Sequence, residues 1–408
     1  MRAPDTDKER SLGHVLTCVA LLWLAGNGLR ITILAVPPVI PLIHADLKLS
    51  ETEIGILAGL PPVLLGLAAV PGSLLIARYG ALKTVVIGLL ATAIGSALRG
   101  AVPDVPTLDI VLLYAATILT GFGVAVMQPS MPPLVRAWLP HRIGFGTAVY
   151  TNGLLVGEVL PVALTIPVVL PLVGGSWRLG FVAWGVPVAI IALIVVAFAP
   201  RPSVPTAAAS SAPRQWWPDW KSGLLWRLGL MLGSVNAMYF TTNTFIPDYL
   251  HHIGRGDLIS TALTALNLGQ IPASLMLLAL AGRLERRRWP YVVAGAFCIL
   301  SVLAIMTGVE SLIIVGAAGV GFFAAGILVI MLALPPLLSA PHDVHRMSAG
   351  MFTISYSCAV VVPIGSGLIW DLTGIPAIAF APIGLSALLL MLLPQTIDFN
   401  RHAIEEGQ

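Results

Sequence analysis

The sequence predicts an all-α membrane protein with twelve transmembrane helices in two six-helix, pseudo-symmetric bundles. Of its 408 residues 57% are apolar and only 10% are charged, against about 25% charged residues in soluble domains. So few charges cannot cover the surface of a soluble protein of this length, which excludes soluble enzymes and nucleic-acid-binding proteins. The apolar residues are also gathered into runs of the length that spans a bilayer, about 20 residues per helix.

These apolar runs follow one another along the whole chain, and several contain Pro or Gly, which predicts kinked helices. We place the spans near 14–43, 51–77, 82–100, 107–138, 143–173, 177–199, 222–250, 257–283, 289–308, 311–338, 346–372 and 376–394.

Lys and Arg are distributed unevenly between alternate loops, which predicts the orientation of the helices. With the N-terminus inside, the outer segments hold only Lys48, Arg99, Arg178 and Arg255, and Arg30 is the one that remains within a span. We therefore expect a multi-pass protein of the cell (inner) membrane with both termini in the cytoplasm. The inner segments hold Arg2, Lys8, Arg10, Arg78, Lys83, Arg136, Arg142, Arg201, Arg214, Lys221, Arg227, Arg283, Arg286, Arg287, Arg288, Arg346 and Arg401.

The longest polar interruption, 201–221, is rich in Pro, Ala and Ser and is predicted to be a cytoplasmic linker. It separates an N-terminal six-helix bundle, 1–200, from a C-terminal one, 222–408. The tryptophans near its end predict contact with the membrane interface, or alternatively with a partner protein. The two halves also resemble each other weakly, since an Asn precedes a Pro by ten or eleven residues in helices 1 and 7. Repeated halves predict a transporter with a binding site near the bilayer midplane.

Several motifs resemble the major facilitator superfamily, and more narrowly its cyanate porter branch, which includes cyanate and 2-nitroimidazole transporters. The basic turn Arg78-Tyr79-Gly80 with Lys83 is similar to the signature between helices 2 and 3, although the acidic residue expected before it is Ala77. The branch resemblance is carried by Arg30, by GFGVAVMQPSMP in helix 4, by Asn236, Tyr239 and Pro247 in helix 7, by Leu268-Gly269-Gln270 and by Ala349-Gly350. It implies a twelve-helix fold in which helix 1 lines a central cavity.

Two charges lie deep within spans, Arg30 in helix 1 and Glu158 in helix 5. An intramembrane charge costs at least about 2.5 kcal/mol, so such residues are functional by default. We expect Arg30 to anchor the substrate, with Asn27 on the same helix face; the alternative is a structural arginine paired with Glu158 or with freed backbone carbonyls. Glu158 is interpreted either as a proton carrier that couples transport or as a fixed partner of Arg30. Gly153 and Gly157 beside it predict close helix packing.

Amide and tyrosine side chains in the other spans are further candidates for substrate binding, although each of them can equally tie two helices together. The candidates are Gln128, Asn152, Asn236, Tyr239, Asn267, Gln270 and Tyr356. We find no catalytic triad, metal-ligand motif or nucleotide-binding loop, so the sequence predicts neither an enzyme nor a cofactor.

The function predicted from these residues is secondary active transport of a small anionic or planar polar solute by alternating access. The alternatives are an exporter of drugs or other hydrophobic compounds with the same fold, and a non-transporting membrane sensor. The expected partners are the small-molecule substrate, the lipid bilayer and, if transport is coupled, protons. We expect a monomer and no nucleic acid.

Overall fold

The structure is a computed structural model that describes residues 12–49, 51–101, 108–200 and 215–399, and helices dominate all of these ranges. Helices satisfy every backbone hydrogen bond within one segment, which is what long apolar segments need in hydrocarbon.

The described residues of the first half form eleven α-helices because several of the predicted spans are interrupted. They are α1 (Leu12–Gly28), α2 (Ile31–Leu34), α3 (Ile40–Leu47), α4 (Glu51–Leu67), α5 (Ala69–Tyr79), α6 (Ala81–Gly100), α7 (Leu108–Met127), α8 (Met131–Trp138), α9 (Ile143–Leu164), α10 (Leu170–Leu172) and α11 (Trp177–Phe198).

The second half is more regular, and most of its spans are single long helices. They are α12 (Gly223–His252), α13 (Ile259–Leu268), α14 (Gln270–Leu284), α15 (Trp289–Met306), α16 (Glu310–Leu338), α17 (Val344–Thr373) and α18 (Ala381–Leu392).

Ten of the described helical segments are long and apolar enough to cross a membrane, and the bent pair α4–α5 makes an eleventh if it counts as one span. The remaining predicted span corresponds to α12, a continuous helix of 30 residues. It is less apolar than the others because it carries Asn236, Asn243 and several threonines. The count of twelve spans therefore stays a prediction.

The interruption that matters most for the site lies in helix 1, between α1 and α2. Arg30 has φ −127° and ψ −29°, outside the helical region, and its amide donates to the carbonyl of Asn27 at 3.1 Å. Pro37 and Pro38 follow α2 and form a short 3-10 turn, because proline has no amide hydrogen to donate. Helix 1 is thus broken near its middle.

Glycines bring α1 and α9 into close contact, as the sequence predicts for Gly153 and Gly157. A methyl group at Gly153 would lie 2.2 Å from the carbonyl oxygen of Trp23, and one at Gly157 would lie 2.6 Å from that of Asn27. On the other helix, a methyl group at Gly26 would lie 2.1 Å from the carbonyl oxygen of Tyr150. These contacts fix Glu158 on α9 beside the break in helix 1.

The two halves meet through α4, α5, α8 and α9 on one side and α14, α16 and α17 on the other. At the end of the molecule that carries the arginine-rich loops, Arg136 of α8 donates to the carbonyls of Pro336 and Ser339, both at 2.7 Å. The described end of the predicted linker lies there too. Ser73 donates to the carbonyl of Trp216 at 2.6 Å, and Arg346 donates to that of Trp217 at 2.8 Å. This end is closed by contacts between the halves. Residues 201–214 of that linker lie outside the described residues.

Candidate functional site

A cavity lies between the two halves, and its wall combines charged, amide and aromatic side chains. The cavity has a volume of about 50 Å³. The cavity is therefore small. Its polar wall residues are Arg30, Gln128 and Glu158 from the first half and Asn236, Tyr239, Gln270 and Tyr356 from the second.

Arg30 and Glu158 form an ion pair in this wall. Nε of Arg30 lies 3.1 Å from Oε1 of Glu158, and the two side chains are only 13% and 24% exposed. The Nε–H is not aligned with a hydrogen-bond acceptor, so the contact is one of charge. Nη2 of Arg30 donates to the hydroxyl of Tyr356 at 3.2 Å. The positive charge expected from the sequence is thus balanced in this state by a carboxylate.

Tyr356 joins the two halves at the cavity. Its hydroxyl accepts from Nε2 of Gln128 at 3.0 Å and lies 3.3 Å from Oε1 of the same amide. Gln128 begins a 3-10 turn where Pro129 interrupts the α7–α8 segment, and this turn places the amide at the cavity. The ring of Phe352, one turn earlier on α17, stacks on that of Tyr356 with centroids 6.3 Å apart.

A second hydrogen-bonded group lies entirely in the second half. The hydroxyl of Tyr239 donates to Oδ1 of Asn267 at 2.6 Å and accepts from Nε2 of Gln270 at 3.1 Å. Asn236, one turn earlier on α12, donates to Oγ of Ser355 on α17 at 2.8 Å. These bonds hold neutral polar groups at the wall of the cavity.

Three predicted site residues do not line this cavity: Asn27, Asn152 and Asn267. Asn27 donates back to the carbonyl of Trp23 at 3.0 Å and is buried against α9, because the break at Gly28–Arg30 ends the helix that would have aligned it with Arg30. Asn152 accepts from Nε1 of Trp23 at 3.0 Å and donates to Ser274 at 3.1 Å, so it ties α1, α9 and α14 together. Asn267 orients Tyr239. Asn152 and Asn267 thus match the alternative of a tie between helices, whereas the amide of Asn27 bonds within its own helix.

Arg99 corrects the expectation that Arg30 is the only positive charge within the spans. Its position at the end of a predicted span indicates an outer-loop residue. In the structure its side chain is 1% exposed, its guanidinium donates to the carbonyl of Thr32 at 2.9 Å, and its carbon lies 4.6 Å from the ring centroid of Phe181. Position at a helix end does not reveal that a long side chain folds back into the protein.

The wall also has an aromatic part, Phe240 and Phe352, which is not predicted from the sequence. A periodicity signal was present, since Phe240 lies four residues after Asn236 and Phe352 four residues before Tyr356. Residues four apart share a helix face. In a chain with so many apolar residues, however, such spacing does not tell whether a helix face lines a cavity or contacts lipid.

At the closed end, Glu285 follows α14 and is buried against the start of α9. A methyl group at Gly144 would lie 2.1 Å from its Oε2, and this oxygen has no hydrogen-bond partner within the described residues. Burial raises the pKa of the Glu285 carboxyl to about 7, although the neighbouring Arg286 lowers it. The contact between the halves at this end therefore contains a carboxyl that titrates near neutral pH.

Comparison with known sequences places these features in a family. The family model described as Major Facilitator Superfamily matches residues 20–256. An uncharacterized transporter of Bacillus subtilis (strain 168), YycB, is 24% identical over 86% of each chain. The cyanate transport protein CynX of Escherichia coli (strain K12) is 26% identical over 66% of this chain and 67% of its own. The 2-nitroimidazole transporter of the same organism is 23% identical over 58% of each chain.

Comparison with solved structures concerns the fold. The proton:xylose symporter XylE, in complex with 6-bromo-6-deoxy-D-glucose, superposes with a TM-score of 0.73 over 95% of this chain and 96% of that one. The two are 12% identical, so the likeness concerns the fold alone. It agrees with the all-helical architecture predicted from the sequence.

Proposed function

The chain belongs to the Major Facilitator Superfamily of secondary transporters, and we propose that it moves a small anionic or planar polar solute across the membrane. The observation that carries this proposal is the guanidinium of Arg30 in the wall of a cavity between the two halves. A guanidinium keeps its charge at any working pH and offers a planar fork of N–H donors. Such a fork suits carboxylate and similar planar acceptor groups, so Arg30 is the proposed substrate anchor.

The remaining wall supports a small substrate. The cavity is small, about 50 Å³, and Tyr356, Gln128 and Gln270 offer neutral hydrogen-bonding groups around Arg30. The relatives named after cyanate and 2-nitroimidazole act on solutes that are themselves small and planar. Asn236 and Tyr239 complete the proposed set of polar contacts.

Alternating access is the proposed mechanism, and the position of the cavity between the two halves supports it. The bundles 1–200 and 222–408 are proposed to rock about the site, joined by the linker 201–221. In this state the arginine-rich end is closed, and we assign that end to the cytoplasm because of the excess of Lys and Arg in its loops. With this orientation both termini lie in the cytoplasm, and the cavity is loaded from the outer side because the inner end is closed. We also propose that the chain is a monomer of the inner membrane.

Glu158 is the proposed coupling residue. An ionised Glu158 neutralises Arg30, so an anion that binds Arg30 leaves the buried site with one uncompensated negative charge. Burying such a charge is costly unless it is paired or neutralised. The cost is removed if Glu158 takes up a proton as the anion binds, and one proton then moves with each anion. The alternative is that Glu158 stays ionised throughout and only orients Arg30.

A ligand screen followed by transport tests this proposal. Purified protein is heated with cyanate, formate, nitrate, benzoate or 2-nitroimidazole, and with a hydrophobic cation for comparison. A ligand at a hundredfold excess over its Kd adds about 2.7 kcal/mol to stability, which is easily detected. Anions that stabilise the protein are then offered in labelled form to proteoliposomes, with protein-free liposomes as the control. Stabilisation by the cation alone, or binding without transport, would contradict the proposal.

A further inference from the structure

A second arginine, Arg99, lies beside helix 1 and has no role in the proposed transport cycle so far. It occupies the last turn of α6, is 1% exposed, and lies over the ring of Phe181 on α11. Among the described residues no carboxylate lies within 4 Å of its guanidinium. A buried guanidinium within a span is costly, so its presence needs a reason.

The hydrogen bond that Arg99 donates points to that reason. Its acceptor is the carbonyl of Thr32, 2.9 Å away, in the short helix α2 that follows the break. In a regular helix the amide of Val36 would donate to this carbonyl, but it donates to Ile33 instead, at 3.3 Å. Pro37 comes next and has no amide hydrogen. Arg99 thus supplies a donor where helix 1 departs from regular geometry.

This carbonyl belongs to the same turn as Arg30. The carbonyl of Arg30 accepts from the amides of Ile33 and Leu34 at 3.1 and 3.0 Å, so residues 30–34 form one hydrogen-bonded turn. The opposite end of the bond is rigid, because α6 is in close contact with α7. A methyl group at Gly95 would lie 2.4 Å from Oγ1 of Thr120. Arg99 therefore connects the turn that begins with Arg30 to a fixed helix pair.

We propose that Arg99 is a positioning residue for substrate binding, which rests on the proposed function of Arg30 as the anchor. By holding the Thr32 carbonyl, Arg99 fixes the backbone of the broken segment and hence the location of the Arg30 fork relative to Tyr356 and Glu158. Without this bond the turn 30–34 is free to shift, and a fork that has moved by a fraction of an ångström loses its bidentate geometry. Arg99 itself does not line the cavity.

The test measures anion affinity in matched variants of the full-length protein. The probes are cyanate, formate and nitrate, each titrated separately into every variant. Arg99→Met removes the donor while keeping an apolar side chain of similar reach, and Arg99→Lys keeps a charge and a single donor. Phe181→Leu is the control, since it removes the ring beneath the guanidinium and leaves the hydrogen bond. We expect Arg99→Met to weaken binding about tenfold, Arg99→Lys about threefold, and Phe181→Leu less than about twofold.

A double-mutant cycle with Arg30→Lys separates positioning from general loosening of the fold. Lysine has no planar fork to align, so Arg99→Met should cost less than about twofold in affinity in that background. If Arg99→Met does not fold, the same cycle is run with Arg99→Lys. Equal losses in both backgrounds, or no loss in the Arg30 background, would overturn the inference. If the wild type binds none of the anions, or Arg30→Lys binds them as tightly as the wild type, the proposed function fails instead.

Discussion

Replacing Glu158 with Gln should tighten the binding of a small anion and at the same time abolish its accumulation. In the wild type the carboxylate lies 3.1 Å from Nε of Arg30 and competes with the substrate for the same guanidinium. Glutamine has nearly the same shape as glutamate but no charge, so the guanidinium of Arg30 becomes available to the anion. The substitution also removes the group that is proposed to take up the proton.

The size of the effect follows from the strength of the contact that is lost. Hydrogen bonds to charged groups contribute about 1.5–3 kcal/mol, and we take the same range for the charge contact between Glu158 and Arg30, which the substrate no longer has to displace. Anion affinity near neutral pH should therefore rise roughly ten- to a hundredfold. In the wild type, binding should strengthen as the pH falls because protonation of Glu158 has the same effect as the substitution. In Glu158→Gln that pH dependence should disappear.

The assay combines calorimetry with transport in proteoliposomes under an imposed pH gradient. Glu158→Gln should still exchange labelled for unlabelled anion but should not accumulate it. Glu310→Gln is the matched control, since Glu310 lies 3.1 Å from Arg255 in an ion pair that is exposed and outside the cavity. It should leave affinity and accumulation unchanged. If Glu158→Gln shows unaltered anion affinity and normal accumulation, then Glu158 neither competes with the anion for Arg30 nor carries the coupled proton.

Three further substitutions probe the surroundings of the site. Tyr356→Phe removes the hydroxyl that links Arg30 to Gln128 and should weaken anion binding by about 0.5–1.5 kcal/mol, measured by calorimetry. Gly157→Ala places a methyl group 2.6 Å from a carbonyl oxygen of α1 and should lower the free energy of unfolding by about 1–3 kcal/mol, seen as a lower melting temperature. Because the pKa of Glu285 is raised from 4.5 to about 7 by burial, the closed end should lose stability as the pH rises between these values. Glu285→Gln should flatten this trend. The trend is followed by the rate at which a cysteine introduced at the closed end reacts with a thiol reagent at each pH.

The sequence predicts the central features of this molecule because they follow from rare residues in apolar surroundings. Arg30 and Glu158 are charges deep within predicted spans, and the structure brings their side chains together although they lie on different helices. Gly153 and Gly157 predict a close helix contact, which the structure confirms. A charge in hydrocarbon is costly and therefore has to find a partner. Glycine has no side chain and therefore allows two helices to approach closely.

The predictions fail where the spacing of residues along the sequence does not determine the position of a side chain in three dimensions. A continuous helix would place Asn27 and Arg30 on one face, but the break between α1 and α2 interrupts that helix. The position of Arg99 predicts a loop residue, because the direction of a side chain is not encoded in its distance from a helix end. The bond between Tyr356 and Gln128 joins residues 228 positions apart, and no local pattern reports such a contact.

The most direct test of the central claim is the affinity of folded Arg30 variants for the small anion that stabilises the wild type. Arg30→Lys retains a positive charge beside Glu158 and is expected to fold, whereas Arg30→Ala leaves that carboxylate without its partner. Each variant is first checked for monodispersity and a cooperative melting transition. Loss of the guanidinium should weaken binding roughly ten- to a hundredfold in Arg30→Ala, with only partial recovery in Arg30→Lys. A folded Arg30→Ala protein that binds the anion as tightly as the wild type would contradict the account.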